Sequence, residues 1–379
     1  MSEVEFELRK LGDLIEIFNN KRVPLSAKQR EGLEKIYPYY GAQGIVDYVD
    51  DYIFDGKYIL IAEDGENLKS NNKSICTLAT GKYWVNNHAH IIKGNEGTNT
   101  DFLYYKLNSI NFAPYITGSA QPKLNKENLL NIELYIPSKE HQDKIAKVLT
   151  LLDQKIQINN QINQELEAMA KTLYDYWFVQ FDFPDQNGKP YKSSGGKMVY
   201  NQDLKREIPE GWGISKVGEL QISIGKRDAN FGIENGRYDF WTTANSPIKA
   251  DEFSFEGKAI LIAGNGNFYV NFTEGKFEAY QRTYVIQSED ENMLIFMYMA
   301  CLQSVEKLRK GSNGSIIKYI TIGDVNNISS PYNKKVVDEF VRIYSPLIDL
   351  ISKNKIQNQE LNQLRDWLLP MLMNGQVKV

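Results

Sequence analysis

The sequence predicts an α+β protein of two tandem homologous α/β modules, separated by two long helices that form an antiparallel coiled coil with pseudo-two-fold symmetry. Three observations predict it. Asn163-Gln164-Glu165-Leu166 returns as Asn358-Gln359-Glu360-Leu361. Around this tetrapeptide Leu152, Ile156, Asn159, Asn163, Leu166 and Leu173 map at one gapless offset onto Leu347, Ile351, Asn354, Asn358, Leu361 and Leu368, with the three-and-four spacing of a coiled-coil seam. The region before the first helix is itself repeated between the helices, and such repeats settle architecture before any local assignment. Seam asparagines cost stability but fix register, because each amide needs another opposite it. An antiparallel pair is the simplest solution, since a whole module must fit between the helices.

Taken in order, residues 1–137 form the first module, 138–181 the first long helix, 182–331 a linker and the second module, and 332–379 the second long helix. Lys10-Leu11-Gly12-Asp13-Leu14 has its counterpart in Lys216-Val217-Gly218-Glu219-Leu220, and a basic pair follows each. The run from Phe54 to Ala62 matches Phe255 to Ala263 and reads as a buried strand entered from an acid-Gly-Lys turn. A further strand is expected between Lys82 and Ile92, paralleled between Lys276 and Ile286. Helices are expected at Asp101 to Ser109 and Met293 to Lys310. A Gly-Ser loop closes each module, at Thr117 to Lys123 and at Lys310 to Ser315. A stretch rich in Gly, Ser and Lys, Pro184 to Lys197, leads through Ile208-Pro209-Glu210-Gly211-Trp212 into the second module.

A length of 379 residues suits two domains plus connecting elements. Hydrophobic content of 42% and charged content of 24% are those of a globular protein. The acidic start lacks an apolar segment, so no secretory signal is expected, and the longest apolar run, Met293 to Leu302, is too short for a bilayer. Cys76 and Cys301 stand alone, consistent with a reducing cytoplasm and without metal-ligand spacing. A net charge of −4 argues against coating nucleic acid by charge alone, while leaving room for a reader with basic residues on one face.

No phosphate loop, dinucleotide fingerprint or nucleophile elbow is present. One strand face could carry both His88 and His90 and hold a metal, but their counterparts are Arg282 and Tyr284, which favours polar contacts over a metal. Asp55-Gly56-Lys57 and Glu256-Gly257-Lys258 carry the acid-x-Lys half of a nuclease motif, but no Pro-Asp element precedes either, and a glycine turn explains both.

These blocks, in this order and in duplicate, resemble the specificity (S) subunits of type I restriction-modification systems across nearly the whole chain. The matching pieces are Lys10 to Leu14, Phe54 to Gly65, Gly118 to Leu124, Ile136-Pro137, the helix ending Tyr174-Asp175-Tyr176-Trp177-Phe178, and Ile208 to Trp212, then the second round. Departures are the missing Gln-Pro-Lys in the second Gly-Ser loop and Arg365 in place of Ala170. The resemblance implies two target recognition domains, each reading half of a split site on double-stranded DNA. It also implies docking of two methyltransferase (M) subunits and of restriction (R) subunits, without membrane association. Catalysis would belong to those partners; this chain would bind no cofactor, and S-adenosylmethionine, ATP and Mg would serve the partner subunits.

DNA reading needs base-edge readers and phosphate anchors in the loops. The candidates are Lys21, Arg22, Gln43, Asn72, Lys73, Asn87, His88, Gln121 and Lys123 in the first module. In the second they are Lys226, Arg227, Asn245, Asn267, Gln281, Arg282, Asn313 and Lys318. The rival functions are a stand-alone endonuclease or methyltransferase, which needs a missing catalytic set, and a coiled-coil scaffold binding only protein.

Overall fold

The computed structural model describes residues 5–65, 68, 75–118, 122–314, 317–377 and 379. The chain divides into two compact units, Met1–Asn160 with Lys355–Val379, and Gln161–Asn354.

In the first unit the strands are β1 (Glu7–Lys10), β2 (Ile15–Ile17), β3 (Tyr37–Gly41), β4 (Gly44–Val49), β5 (Phe54–Asp55), β6 (Tyr58–Ala62), β7 (Cys76–Ala79), β8 (Lys82–Val85), β9 (Ala89–Gly94) and β10 (Glu133–Ile136). They build two four-stranded sheets, ordered β2-β9-β6-β7 and β4-β3-β8-β5, while β1 pairs with β10. Helices α1 (Ala27–Arg30), α2 (Thr100–Asn108) and α3 (Lys126–Leu130) complete the module. The continuous apolar run of β6 is explained by burial on both faces. Ile59 and Ile61 join a core with Phe102, Leu103 and Leu129, whereas Leu60 faces Phe54, Tyr83 and Val85 of the other sheet.

The strand expected after the acid-Gly-Lys turn forms as β6, whereas a second expected strand is divided. Phe54 to Ala62 turns a corner at Gly56, whose φ of 138° suits glycine, so β5 and β6 lie in different sheets. Lys82 to Ile92 breaks at Asn86–His88, and β8 and β9 lie in different sheets. Asn86 explains the break, since its side chain accepts from the His88 amide at 2.8 Å and closes a local turn.

The second unit repeats this plan. Its strands are β11 (Met198–Asn201), β12 (Arg206–Pro209), β13 (Gly213–Lys216), β14 (Gln221–Ile224), β15 (Tyr238–Trp241), β16 (Ile248–Ala250), β17 (Phe255–Glu256), β18 (Ala259–Ala263), β19 (Val270–Thr273), β20 (Lys276–Ala279), β21 (Thr283–Gln287) and β22 (Ser329–Tyr332). The sheets run β14-β21-β18-β19 and β16-β15-β20-β17, with β13 on β22, so the topology is that of the first unit. Ile260, Ile262 and Ile286 face the larger core; Leu261 and Val285 face Phe255 and Phe277.

The long helices are α4 (Lys139–Tyr174, 36 residues) and α7 (Lys334–Met373, 40 residues); α5 (Glu291–Gly311) and α6 (Ile322–Asn326) lie in the second unit. In the first unit they meet through Asp153–Arg365 (2.9 Å) and Asn159–Asn358 (2.8 Å). In the second unit Asn163 meets Asn354 at 2.8 Å, and Tyr174 packs on Phe340. Rising numbers on α4 match falling numbers on α7 in both, which makes the pairing antiparallel. All four seam asparagines are buried, as is Ile351; Leu152, Ile156, Leu166, Leu173, Leu347, Leu361 and Leu368 are half-buried.

Beyond α4 the chain stays ordered. Trp177, Phe178, Phe181 and Phe183 enter the second unit's core, and the Gly-Ser-rich stretch after them is fastened rather than free. Tyr191 stacks on Phe183, and the Asp182 carboxylate accepts from the Ser193 amide and hydroxyl, both at 2.7 Å. Among the described residues no helix is long and apolar enough to cross a membrane.

Candidate nucleic-acid interface

In each unit one backbone frame gathers several candidate residues at the C-terminal end of the central strand. Glu63, just past β6, donates its amide to His88 O at 2.9 Å and accepts from the Leu124 amide at 2.9 Å. Gly264, just past β18, donates to Arg282 O at 2.7 Å and accepts from the Ile320 amide at 3.0 Å. Thr117 pairs with Lys123 as Asn313 pairs with Tyr319, and Asp64 bridges Lys123 as Asn265 bridges Tyr319. The frames therefore match residue by residue, while their side chains differ.

The first frame carries a charged cluster. Arg22 donates to Glu63 at 2.7 Å and to the carbonyls of Asn87 (3.2 Å) and Ala89 (3.0 Å). Lys123 reaches Glu63 at 3.2 Å. Burial opposes ionisation of Glu63, but Arg22, His90 and Lys123 outweigh it and hold its carboxyl below its ordinary range. His88 is exposed and lies 2.9 Å from Asp64. His90 is buried, and both its nitrogens are used. Nε2 donates to Leu124 O at 2.7 Å, since a carbonyl only accepts, so Nδ1 accepts from the Asn19 amide at 2.8 Å. Desolvation pushes its pKa down.

The structure thus brings Arg22, Asn87, His88 and Lys123 together. Lys21 is exposed beside them in sequence, 5.4 Å from the Phe18 ring, and Gln43 is exposed in the β3–β4 turn. Asn72, Lys73 and Gln121 lie outside the described residues.

In the second unit Arg227 turns inward. It bonds Glu252 at 2.6 Å and the fully buried Glu278 at 3.2 Å, and Ser254 also donates to Glu278 at 2.7 Å. The Gln281 amide donates to Arg227 O at 2.9 Å. Asn267 and Lys318 come together beside Arg309, whose guanidinium donates to Asn267 O at 3.4 Å and whose carbonyl accepts from Lys318 at 3.5 Å. Asn313 stands at the same loop through its backbone pairing with Tyr319, and Asn245 is exposed between β15 and β16. Lys226 is exposed, 6.0 Å from the Phe255 ring. Arg282 is exposed, and its side chain has no hydrogen-bond or ion-pair partner among the described residues.

Sequence reasoning missed Glu63, Asp64, Glu278 and Arg309. Comparing the two copies position by position exposes the first, since Glu63 stands where the other module has Gly264. The acid-x-Lys turns take no part in the cluster: Lys57 pairs with Asp101 at 2.8 Å and Lys258 with Glu291, each an acid in the first turn of the following helix.

The family model of the type I restriction modification DNA specificity domain matches residues 3–168 and again 209–366. The chain belongs to this family. Over 148 residues it is 40% identical to a specificity-subunit homologue of Haemophilus influenzae, a stretch covering 39% of this chain and 37% of that one. Over 315 residues it is 27% identical to the type I restriction enzyme MjaIX specificity subunit of Methanocaldococcus jannaschii, covering 75% and 70%. The fold is that of the type I restriction-modification system S subunit from M. genitalium, with a TM-score of 0.64 at 15% identity over 98% and 97% of the two chains. The two specificity domains of the family model coincide with the two repeats seen here, so each frame described above belongs to one DNA specificity domain.

Proposed function

We propose that this specificity subunit reads a bipartite site on double-stranded DNA, one half-site per module, and that its paired long helices dock two methyltransferase subunits, with restriction subunits joining the complex. The observation that carries the reading is the duplicated frame: identical backbone pairing presents different polar side chains, as reading two different half-sites requires. Docking has separate support. Within the first unit Leu151, Ile158, Ile356, Leu364 and Trp367 lie exposed on the long helices; within the second, Met169, Ile343 and Leu350 do. Apolar side chains set at helical spacing on an outer face suit a partner surface.

In this reading the chain catalyses nothing itself and works in the cytoplasm. S-adenosylmethionine, ATP and Mg serve the partner subunits, in keeping with a sequence that lacks a phosphate loop and a nucleophile elbow. Co-expression with the cognate methyltransferase subunit, followed by mapping of methylated adenines, tests the proposal. A motif of two short specific blocks separated by a spacer of fixed length is expected. A continuous motif, or methylation unchanged when this chain is omitted, would overturn it.

A further inference from the structure

We propose that Arg282 is a specificity-determining residue of the second module and reads a guanine in its half-site, whereas Arg22 and Arg227 are internal clamps. This rests on the DNA-reading function proposed above.

Matched positions in the two modules carry the assignment. Phosphates are chemically the same in both half-sites, so anchors that hold them can be shared between modules, while base readers must differ. Arg22 and Arg227 match each other, yet both turn inward onto a carboxylate. Their acids come from unrelated places, Glu63 after β6 and Glu278 within β20. A residue whose ion pair survives a change of partner is serving the module's interior. Its guanidinium is already bonded and has little left to offer a base.

Arg282 behaves in the opposite way. It stands on the turn before β21, where the first module has His88 held by Asp64. Each acid of that cluster is gone from the second frame: Glu63 becomes Gly264 and Asp64 becomes Asn265. Gly264 lets the backbone of the turn approach closely, since a Cβ there would lie 2.7 Å from Arg282 O. The guanidinium is left exposed and without an ion-pair partner among the described residues. A free, donor-only fork on a turn fits the paired acceptors O6 and N7 of guanine. The first module, with Asp64 and His88 at the same place, offers acceptors instead, which suits an exocyclic amino group.

The test uses the full chain co-expressed with its methyltransferase subunit and reads methylated adenines across the host genome. For Arg282→Ala we expect one base pair of one half-site to lose its preference, on the order of 10- to 100-fold, with the other half-site intact. Arg282→Lys should relax the same position, because an ammonium keeps the charge without the two-pronged donor. Arg227→Ala should lower the amount of active complex and leave the motif unchanged. The inference is overturned if Arg282→Lys restores full specificity, if Arg282→Ala lowers methylation evenly or abolishes it with no position relaxed, or if Arg227→Ala is the variant that relaxes a base. A wild-type complex with no two-part motif would instead sink the underlying proposal, which separates the two failures.

Discussion

His90 shows how one residue ties chemistry to module stability. Its neutral ring bridges Asn19 and the Leu124 carbonyl, and the matched Tyr284 in the other unit donates to the matched Ile320 carbonyl at 3.1 Å. The two side chains hold the same strap, but only the histidine titrates near neutrality. Because its folded pKa lies below the ordinary 6.5, the unfolded chain takes up the proton first as pH falls. Stability from this group is therefore complete above pH 6.5 and is lost as pH drops toward the folded value. Glu63, also lowered, adds a loss that begins further down, below its ordinary 4.5. Hydrogen exchange followed from about pH 7 to about pH 5 should show faster opening at 89–94 and 122–124, corrected for intrinsic rates, with no matching change at 283–287. Equal acceleration in both segments would remove His90 as the cause. The basic pairs were visible in the sequence, but the inward turn of their arginines was not, because Glu63 and Glu278 approach Arg22 and Arg227 only through sheet pairing.

At the scale of elements, the seam was the most legible part of the chain. Periodicity and repetition located both helices, and the asparagines gave their register, since an amide in an apolar stripe must find a polar partner. The strands were less legible. The acid-Gly-Lys turn before β6 was legible, but that it carries the chain from one sheet to another was not, and 82–92 read as one strand although it changes sheet at Asn86–His88. The seam makes a quantitative claim. Asn159 donates to both Gln357 and Asn358 at 2.8 Å, while its own side-chain oxygen is buried without a hydrogen-bond partner among the described residues. Asn159→Leu leaves the Asn358 oxygen without a donor and should cost about 1–3 kcal/mol. Adding Asn358→Leu removes the stranded amide and should recover much of that loss, because two apolar groups face each other again. Chemical denaturation of the four chains of this cycle checks it; costs that simply add would mean that the amides do not act as a pair.

For the whole molecule, duplication carries the argument, because two units with their own cores can change independently. The first unit buries Leu11, Ile59, Phe102 and Leu134, and the second buries Phe181, Ile260, Phe296 and Phe340. Each core is closed by helix residues near it in the pairing: Ile145, Ala146, Leu149, Leu372 and Met373 in the first, Val337, Phe340, Val341 and Tyr344 in the second. If each module reads its own half-site as proposed, replacing residues 1–137 with those of another family member exchanges one reading head and leaves the second frame, with Gly264, Arg282 and Tyr319, untouched. The methylation motif should change in one block only. Stability is the cost to expect, because Leu149, Leu372 and Met373 would meet a foreign surface, and each poorly filled contact of this kind costs about 1–3 kcal/mol. Carrying the donor's residues at those helix positions into the chimera should recover it. If both blocks of the motif changed in the repaired chimera, reading would be a joint property of the two modules, and the assignment of one half-site to each would fall.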